Sequence, residues 1–445
     1  MPDTGRRNTL LVVDERGKWV RVYKCGWKGV MVRLTLCLVT FGCLARAGAD
    51  EDWLLPNFAQ RLEVEISNPS GSGVETIGVV PVEDALRVAS GFPGRVAIAV
   101  VAGAAPTILP FQVDDLDGDG APDEVVFPVK LVAGESRKVH IYYSTTLRDR
   151  MIYPKRVHAQ HNFGYNHQTV SLESELVGYR TYGGFFLDFQ ARAKGQPGLY
   201  NGFVGYFGSI TPVVGRDVTH LGDTLGLGGM FLRLGKQIFR PPMNVPDYAH
   251  KPSPPAVPHY RVISDGPVRA VVEARMDRWR IGEDEVAIRA TYVIVAGSSH
   301  VECGVRVTPL HIPPLHIYEV GAGIRHLPQM RLGHGSGRLM LSGTQNKTVG
   351  PLAFALYFEP SEAAPISALI TRKELNEAIV FSEKLQAGRA VDVHYRVAAA
   401  WSGSGITDLL SHLQEVERQA RGVVHVGGFK FTPTPAPERV ESEAY

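Results

Sequence analysis

Leu62, Val64 and Ile66 alternate with Arg61, Glu63, Glu65 and Ser67. A side-chain period of two fits an extended strand with one face buried. The pattern returns in RVAIAVV from Arg95, DEVVFPVKL from Asp123 and KVHIYY from Lys138. It returns again in VRAVVEARM from Val268, VAIRATYVIV from Val286, HVECGVRV from His300 and VDVHYRVAAAW from Val391. Gly and Pro clusters punctuate these runs, and turns such as Gly282-Glu283-Asp284 join long neighbours. The expectation is an all-β chain: a large antiparallel β-sandwich over residues 50–431, without βαβ units. Helical spacing occurs at Ile406, Leu409, Leu410, Leu413, Val416 and Ala420. Ser404 or Thr407 can cap that helix and Gly422 can end it, so it covers an edge or face of the sheets. Residues 432–445 are Pro-rich and charged, and disorder is expected there. PPMNVPDYAHKPSPPAVP from Pro241 reads as a long loop between strand-rich halves. No repeat has a clean period.

The N-terminal region reads differently. Met31 to Arg33 form a short basic start, Leu34 to Leu44 an apolar run, and Ala45-Arg46-Ala47-Gly48-Ala49 two small-x-small cleavage sites. Residues 31–49 are therefore expected to be a signal peptide, because an apolar run that short does not reach the roughly 20 residues a membrane span needs. Residues 1–30 fit neither a signal nor a fold, and an upstream extension before a true start at Met31 is expected. A lipid anchor at Cys43 is the alternative, but Thr40-Phe41-Gly42 lacks the usual aliphatic residue. The first 49 residues carry nine of the 47 Lys/Arg and three of the 45 Asp/Glu, leaving 38 and 42, a net charge of −4. A mildly acidic mature chain argues against nucleic acid as partner. Cys25, Cys37 and Cys43 lie in the same leader. Cys303 alone follows it, which excludes an intramolecular disulfide or a cysteine metal site in the mature chain. A periplasmic or secreted protein without a membrane span after signal removal is expected; its oligomeric state stays open.

The sharpest motif is Asp115-Leu116-Asp117-Gly118-Asp119-Gly120-Ala121-Pro122-Asp123. Carboxylates at positions 1, 3, 5 and 9 with Gly at 6 match a calcium loop, since a hard cation takes six to eight oxygens. Position 12 is Val126 where a helix-loop-helix calcium site has Glu, so Asp114 or Glu124 would have to complete it. The competing reading is an acidic turn held by its own side-chain-to-backbone bonds. In either case the role is structural. Polar groups gather further along at His158, His161 and His167, then Glu173 and Glu175, Tyr179, Arg180 and Tyr182, and Arg216, Asp217, His220 and Asp223. Three of the 15 histidines fall within ten residues, in a stretch of poor apolar periodicity, which suggests a pocket lining. His158 and His161 would share a face only on a helix or turn. Glu173 and Glu175 would share the face of a strand, the arrangement a glycosidase needs. There is no HExxH, GxSxG, GxxxxGK[ST], or GxGxxG after a strand, and GLGLGG from Gly226 reads as a strand with close backbone contacts.

LEVEISNPSG from Leu62, LPFQVDDLDGDGAPDEVVF from Leu109, ESELVGYRTYG from Glu173, GRDVTHLGDTLGLGGMFL from Gly215 and YRVISDGPVRAVVEARMDRW from Tyr260 together resemble the bacterial family called domain of unknown function 4861. The resemblance covers roughly residues 58–425. It implies an exported component of polysaccharide degradation, with a sandwich like those of galactose-mutarotase-like domains and polysaccharide lyases. It implies, by analogy, β-elimination on uronic-acid-containing oligosaccharides by a lyase or dehydratase. In that chemistry Arg180 would hold the substrate carboxylate, with His158, Tyr179 or Tyr182 as base or acid. On a strand Tyr182 shares the face of Arg180 and Tyr179 does not. His161, His167, Glu175, Asp217 and His220 would line the substrate site. The alternatives are a non-catalytic glycan-binding protein of the envelope and a glycoside hydrolase. Trp53, Trp279 and Trp401, the only tryptophans after the leader, are too scattered for a stacking platform.

Overall fold

The computed structural model describes residues 9–13 and 19–23, and then 53–433 apart from 56–57, 94–95, 102–106, 145–151, 163–168, 182–183, 195–209, 212–214, 220–223, 243–257, 329–330, 345–348, 372–373 and 423. Two units are present, Met1–Asp52 and Trp53–Tyr445. In the first, Thr9–Val13 and Trp19–Tyr23 pair antiparallel. The expected signal peptide lies outside the described residues.

The second unit is almost wholly antiparallel β structure and holds two sandwich cores. The smaller joins a five-stranded sheet, in which Gln60–Ser67 lies between His425–Pro433 and Ser136–Ser144, to a three-stranded sheet of Val74–Pro81, Glu124–Leu131 and Gln112–Asp114. Leu62, Val64 and Ile66 point into its core against Phe127, Ile141 and Tyr143, as their alternation requires. Strand His425–Pro433 takes in Thr432 and Pro433, where disorder was expected; residues 434–445 lie outside the described residues.

The larger sandwich packs an 11-stranded sheet on an eight-stranded one. Leu172, Phe189, Met230, Ala322 and Ile379 from the first meet Val272, Ile288, Val305, Phe354 and Val397 from the second. Gly228 and Gly229 let Leu227–Leu234 run close to that core. A Cβ on Gly228 would lie 2.6 Å from Val397 Cγ1, and one on Gly229 2.2 Å from the Leu225 carbonyl oxygen. The helix Leu409–Ala420 covers the outer face of the eight-stranded sheet through Leu409, Leu413 and Val416. Its cap is Asp408, whose side chain accepts from Ser411 N, in place of Ser404 or Thr407.

A buried polar lock joins the two sandwiches. Asp114 Oδ1 accepts from Gln112 Nε2 and Ser264 Oγ, both at 2.6 Å, and its Oδ2 accepts from Arg269 Nε at 2.9 Å. Arg269 Nη2 also reaches Glu124 Oε2 at 2.7 Å. Gln112 Oε1 accepts from the backbone N–H groups of Val268 and Arg269. Burying a charge is tolerable only when it is paired and hydrogen-bonded, as here. Gly266 makes room for the lock, because a Cβ there would fall 2.0 Å from Gln112 Oε1. Gly266→Ala is therefore expected to lower the unfolding free energy by about 1–3 kcal/mol, the usual range for overpacking. Urea unfolding followed by tryptophan fluorescence checks this, and an unchanged midpoint would refute it.

Candidate functional site

Five strands of the 11-stranded sheet build the site. They are β1 (Val157–Asn162), β2 (Thr169–Ser174), β3 (Gly178–Thr181), β4 (Leu187–Ala191) and β5 (Gly215–Asp217). Residues directly opposite in an antiparallel pair share a face. One row therefore runs His158, Glu173, Gly178, Gln190, Asp217 across all five strands. A second runs Gln160, Ser171, Arg180, Asp188 across four of them. Every side chain in the two rows is polar apart from glycine. The opposite face carries Val157, Ala159, Leu172, Tyr179, Leu187 and Phe189 into the core. The polar face is buried too: Asp217 is 2 % exposed, Glu173 and Asp188 1 % each, and Gln190 fully enclosed.

His158 is held between two acceptors. Its Nδ1 lies 2.9 Å from Asp265 Oδ1 and its Nε2 3.0 Å from Gln160 Oε1. Asp265 ends strand β6 (His259–Asp265) of the eight-stranded sheet, so this contact bridges the two sheets at their adjoining edges. Asp265 Oδ1 also accepts from Ala159 N, on the edge strand, and Oδ2 pairs with Lys155. Burial disfavours the charged imidazole, but the bonds to Asp265 and Gln160 outweigh it and raise the pKa. Burial would likewise raise Asp265, and its bonds from His158, Lys155 and Ala159 instead hold it below the usual carboxylate range. An acceptor beside each ring nitrogen favours the protonated imidazole over the neutral one. A reversed Gln160 amide would instead present its NH₂ group to a neutral Nε2. Asp265 also lines a cleft of about 500 Å³ with Gln112, Asp114, Asp115, Arg261 and Ser264.

At the far end of the face Arg180 Nη2 bridges two acids, Asp188 Oδ2 at 2.8 Å and Asp217 Oδ2 at 2.9 Å. Burial raises the Asp188 pKa despite Arg180. Burial and repulsion from Asp188 push Asp217 well above its ordinary value. The pair therefore keeps a proton to higher pH than a lone carboxylate does, and it titrates as a unit. Between the two ends, Arg192 Nη2 donates to Glu173 Oε2 at 2.6 Å and to the Ser174 carbonyl at 3.0 Å. That bond spans from the end of β4 to β2, past β3, which carries glycine at 178. A Cβ at Gly178 would lie 3.2 Å from Gln190 Cβ and 3.6 Å from Glu173 Cβ.

Of the residues singled out from sequence, His158, Arg180 and Asp217 meet on this face. Tyr179 points the other way. It is fully buried, donates to the Ser299 carbonyl at 2.8 Å and accepts from Ala399 N at 3.2 Å, which makes it a core tie and not a proton-transfer group. His161, three residues after His158 on a strand, faces away with Val170. Glu175 lies beyond the end of β2 and pairs with Arg156 (2.8 Å) and Gly297 N (3.2 Å), so Glu173 and Glu175 do not share a strand face. Tyr182, His167 and His220 lie outside the described residues. Sequence reasoning missed Asp265, Gln160, Asp188, Gln190 and Arg192. The signal for the last three was present in LDFQAR, where Asp188, Gln190 and Arg192 alternate with Leu187, Phe189 and Ala191.

The acidic loop folds back on its own backbone. Asp115 accepts from Gly118 N and Gly120 N, Asp119 from Ala121 N, and Asp123 from Leu116 N. Asp115, Asp117 and Asp123 still bring one carboxylate oxygen each within 4.8 Å of one another, a spacing that fits a hard cation; Asp119 is not in that group. Asp114 and Glu124 both turn to Arg269 and do not complete the set. Arg261 donates to the Leu116 and Asp117 carbonyls, so a guanidinium already lies against the loop.

The acid pair generates a pH prediction. A folded-state carboxyl with a raised pKa adds stability below its unfolded pKa near 4, and that stability is lost as pH rises through the folded value. Asp217→Asn removes this loss, so relative to the parent the variant should gain stability as the pH rises above about 4. Thermal unfolding across that range checks it, and parallel curves for the two proteins would refute it.

Two solved structures are similar at low identity. One is a protein in the glycosyl hydrolase family 38 from Enterococcus faecalis, 8 % identical, covering 84 % of this chain and 48 % of that one, TM-score 0.43. The other is an alpha-mannosidase from Enterococcus faecalis, 9 % identical, covering 84 % and 46 %, TM-score 0.42. The present chain thus spans less than half the length of either. No curated protein matches it. Among the described residues no helix is long and apolar enough to cross a membrane. The model of the family called domain of unknown function 4861 matches residues 79–185 and 213–423, and the chain belongs to that family.

Proposed function

We propose that the chain is an exported carbohydrate-active enzyme that performs β-elimination on uronic-acid-containing oligosaccharides at the polar face of β1 to β5. The observation that supports this most is the composition of that face: a His158–Asp265 pair, a guanidinium and an acid pair that retains a proton, gathered on one side of one sheet. Elimination moves a proton from the carbon next to the substrate carboxylate to a base and breaks the bond to the leaving sugar oxygen. It leaves a carbon–carbon double bond, and the leaving oxygen takes a proton. His158, once its Nε2 has lost its proton, is the base that takes the substrate's proton, and the proton retained by the Asp188–Asp217 pair is the one that the leaving oxygen takes. A second reading, hydrolysis, draws support from the acid pair itself. Two oxygens bridged by one nitrogen lie within about 6 Å of each other, close to the spacing of retaining glycosidases. Non-catalytic glycan binding is the third reading.

Absorbance in the ultraviolet band of unsaturated uronic acids, read on a panel of uronate oligosaccharides, separates these. Elimination predicts a rise that His158→Ala reduces by about 100-fold or more, the usual share of one acid–base group. It also predicts a rate that titrates with a group above the ordinary histidine pKa. New reducing ends without absorbance would replace elimination by hydrolysis, and binding without either would leave a receptor. Calcium, where bound, holds the Asp115 loop and takes no part in proton transfer. Chelation should then lower the melting temperature of the calcium-loaded protein, and Asp115→Asn should abolish that difference; equal melting with and without calcium would remove the cation from the account.

A further inference from the structure

The polar face holds buried groups without a hydrogen-bond partner among the described residues. They are the donors Arg192 Nε and Nη1, directly after β4, and Gln160 Nε2 on β1, the acceptors Asp188 Oδ1 and Gln190 Oε1 on β4, and the Thr219 hydroxyl just past β5. Buried polar groups are normally paired, so such a set in a native protein calls for a ligand or ordered water. Along β4 a guanidinium donor is followed by two acceptors, which suits a molecule with an anionic acceptor and hydroxyl donors. Asp188, Gln190 and Arg192 follow at every second residue, which places Gln190 about 7 Å and Asp188 about 13 Å along the chain direction from Arg192. That is the span of one to two sugar rings.

Arg192 keeps two of its three guanidinium nitrogens unpartnered among the described residues, so it can receive an anion. Arg180 is not its receptor, because its Nη2 already lies between two acids.

We propose that Arg192 is the receptor for the substrate carboxylate, and that Asp188 and Gln190 bind the sugar hydroxyls, which makes the face selective for a polyhydroxylated carboxylate over its neutral counterpart. The proposal deepens the reading above as to substrate class, but it is tested by binding and needs no turnover.

The probes are a uronate disaccharide and the same disaccharide with its carboxyl reduced to an alcohol, titrated calorimetrically into the full chain. The parent should bind the acid at least about tenfold tighter, as expected of a buried charge-assisted hydrogen bond. Arg192→Gln should bring the two affinities to within about twofold. Because that variant strands the buried Glu173 charge, Arg192→Gln with Glu173→Gln is measured beside it and should show the same loss of preference. Full acid preference in the double variant, or none in the parent, overturns the proposal. Acid preference without ultraviolet-absorbing product would sink the elimination reading and keep the receptor; elimination with acid preference surviving in the double variant would do the reverse.

Discussion

A strand enclosed on both faces must find partners for every polar group it carries, and β1 to β5 carry theirs in a single plane. Their core faces are ordinary: valine, leucine, phenylalanine and one tyrosine tied at its hydroxyl. Their other faces hold acids, amides, two guanidinium-bearing side chains and an imidazole, nearly all shut away from solvent. A buried charge can lower stability by several kcal/mol when left alone. The ion pairs between neighbouring strands are what make this plane tolerable: Arg180 with two acids, Arg192 with Glu173, His158 with Asp265. Asp265 matters most for position, because it belongs to the opposite sheet. It ties the edge strand and the imidazole to one carboxylate, so the approach of the two sheet edges and the orientation of His158 share the same contact.

The strands were legible because half-buried antiparallel sheets leave a period-two record, and every alternating run quoted from the sequence lies in a strand. The helix was legible from its apolar spacing, though not its cap, since Asp408 competes with Ser404 and Thr407 on equal chemical terms. The site was legible only as a region. The density of histidine around residue 158 pointed to the right strand, yet His161 turned out to face the other way once that segment was extended. Tyr179 and Arg180 were separated correctly by strand parity, and parity then sent Tyr179 into the core. Asp265 was out of reach: it lies more than a hundred residues from His158, and only sheet packing brings them together. LDFQAR was readable in principle, but a polar alternation looks like a solvent-facing strand until both faces are known to be covered.

The acidic loop shows how one sequence pattern supports two structures. Its spacing matches a calcium loop, and its carboxylates do converge. Yet five of its backbone N–H groups are already capped by those same carboxylates, and Arg261 takes two of its carbonyls. A loop so well satisfied internally holds its shape whether or not a cation arrives.

The small sandwich closes only with the last described strand. Gln60–Ser67 has Ser136–Ser144 on one side and His425–Pro433 on the other, some 360 residues later in the chain. During synthesis the first of these partners is available early, while the other edge stays open until residues 425–433 have left the ribosome. An unpaired strand edge invites association with other chains. Until that strand emerges the nascent chain presents an adhesive border, and cellular factors that shield such borders are needed from the time residues 60–67 are made.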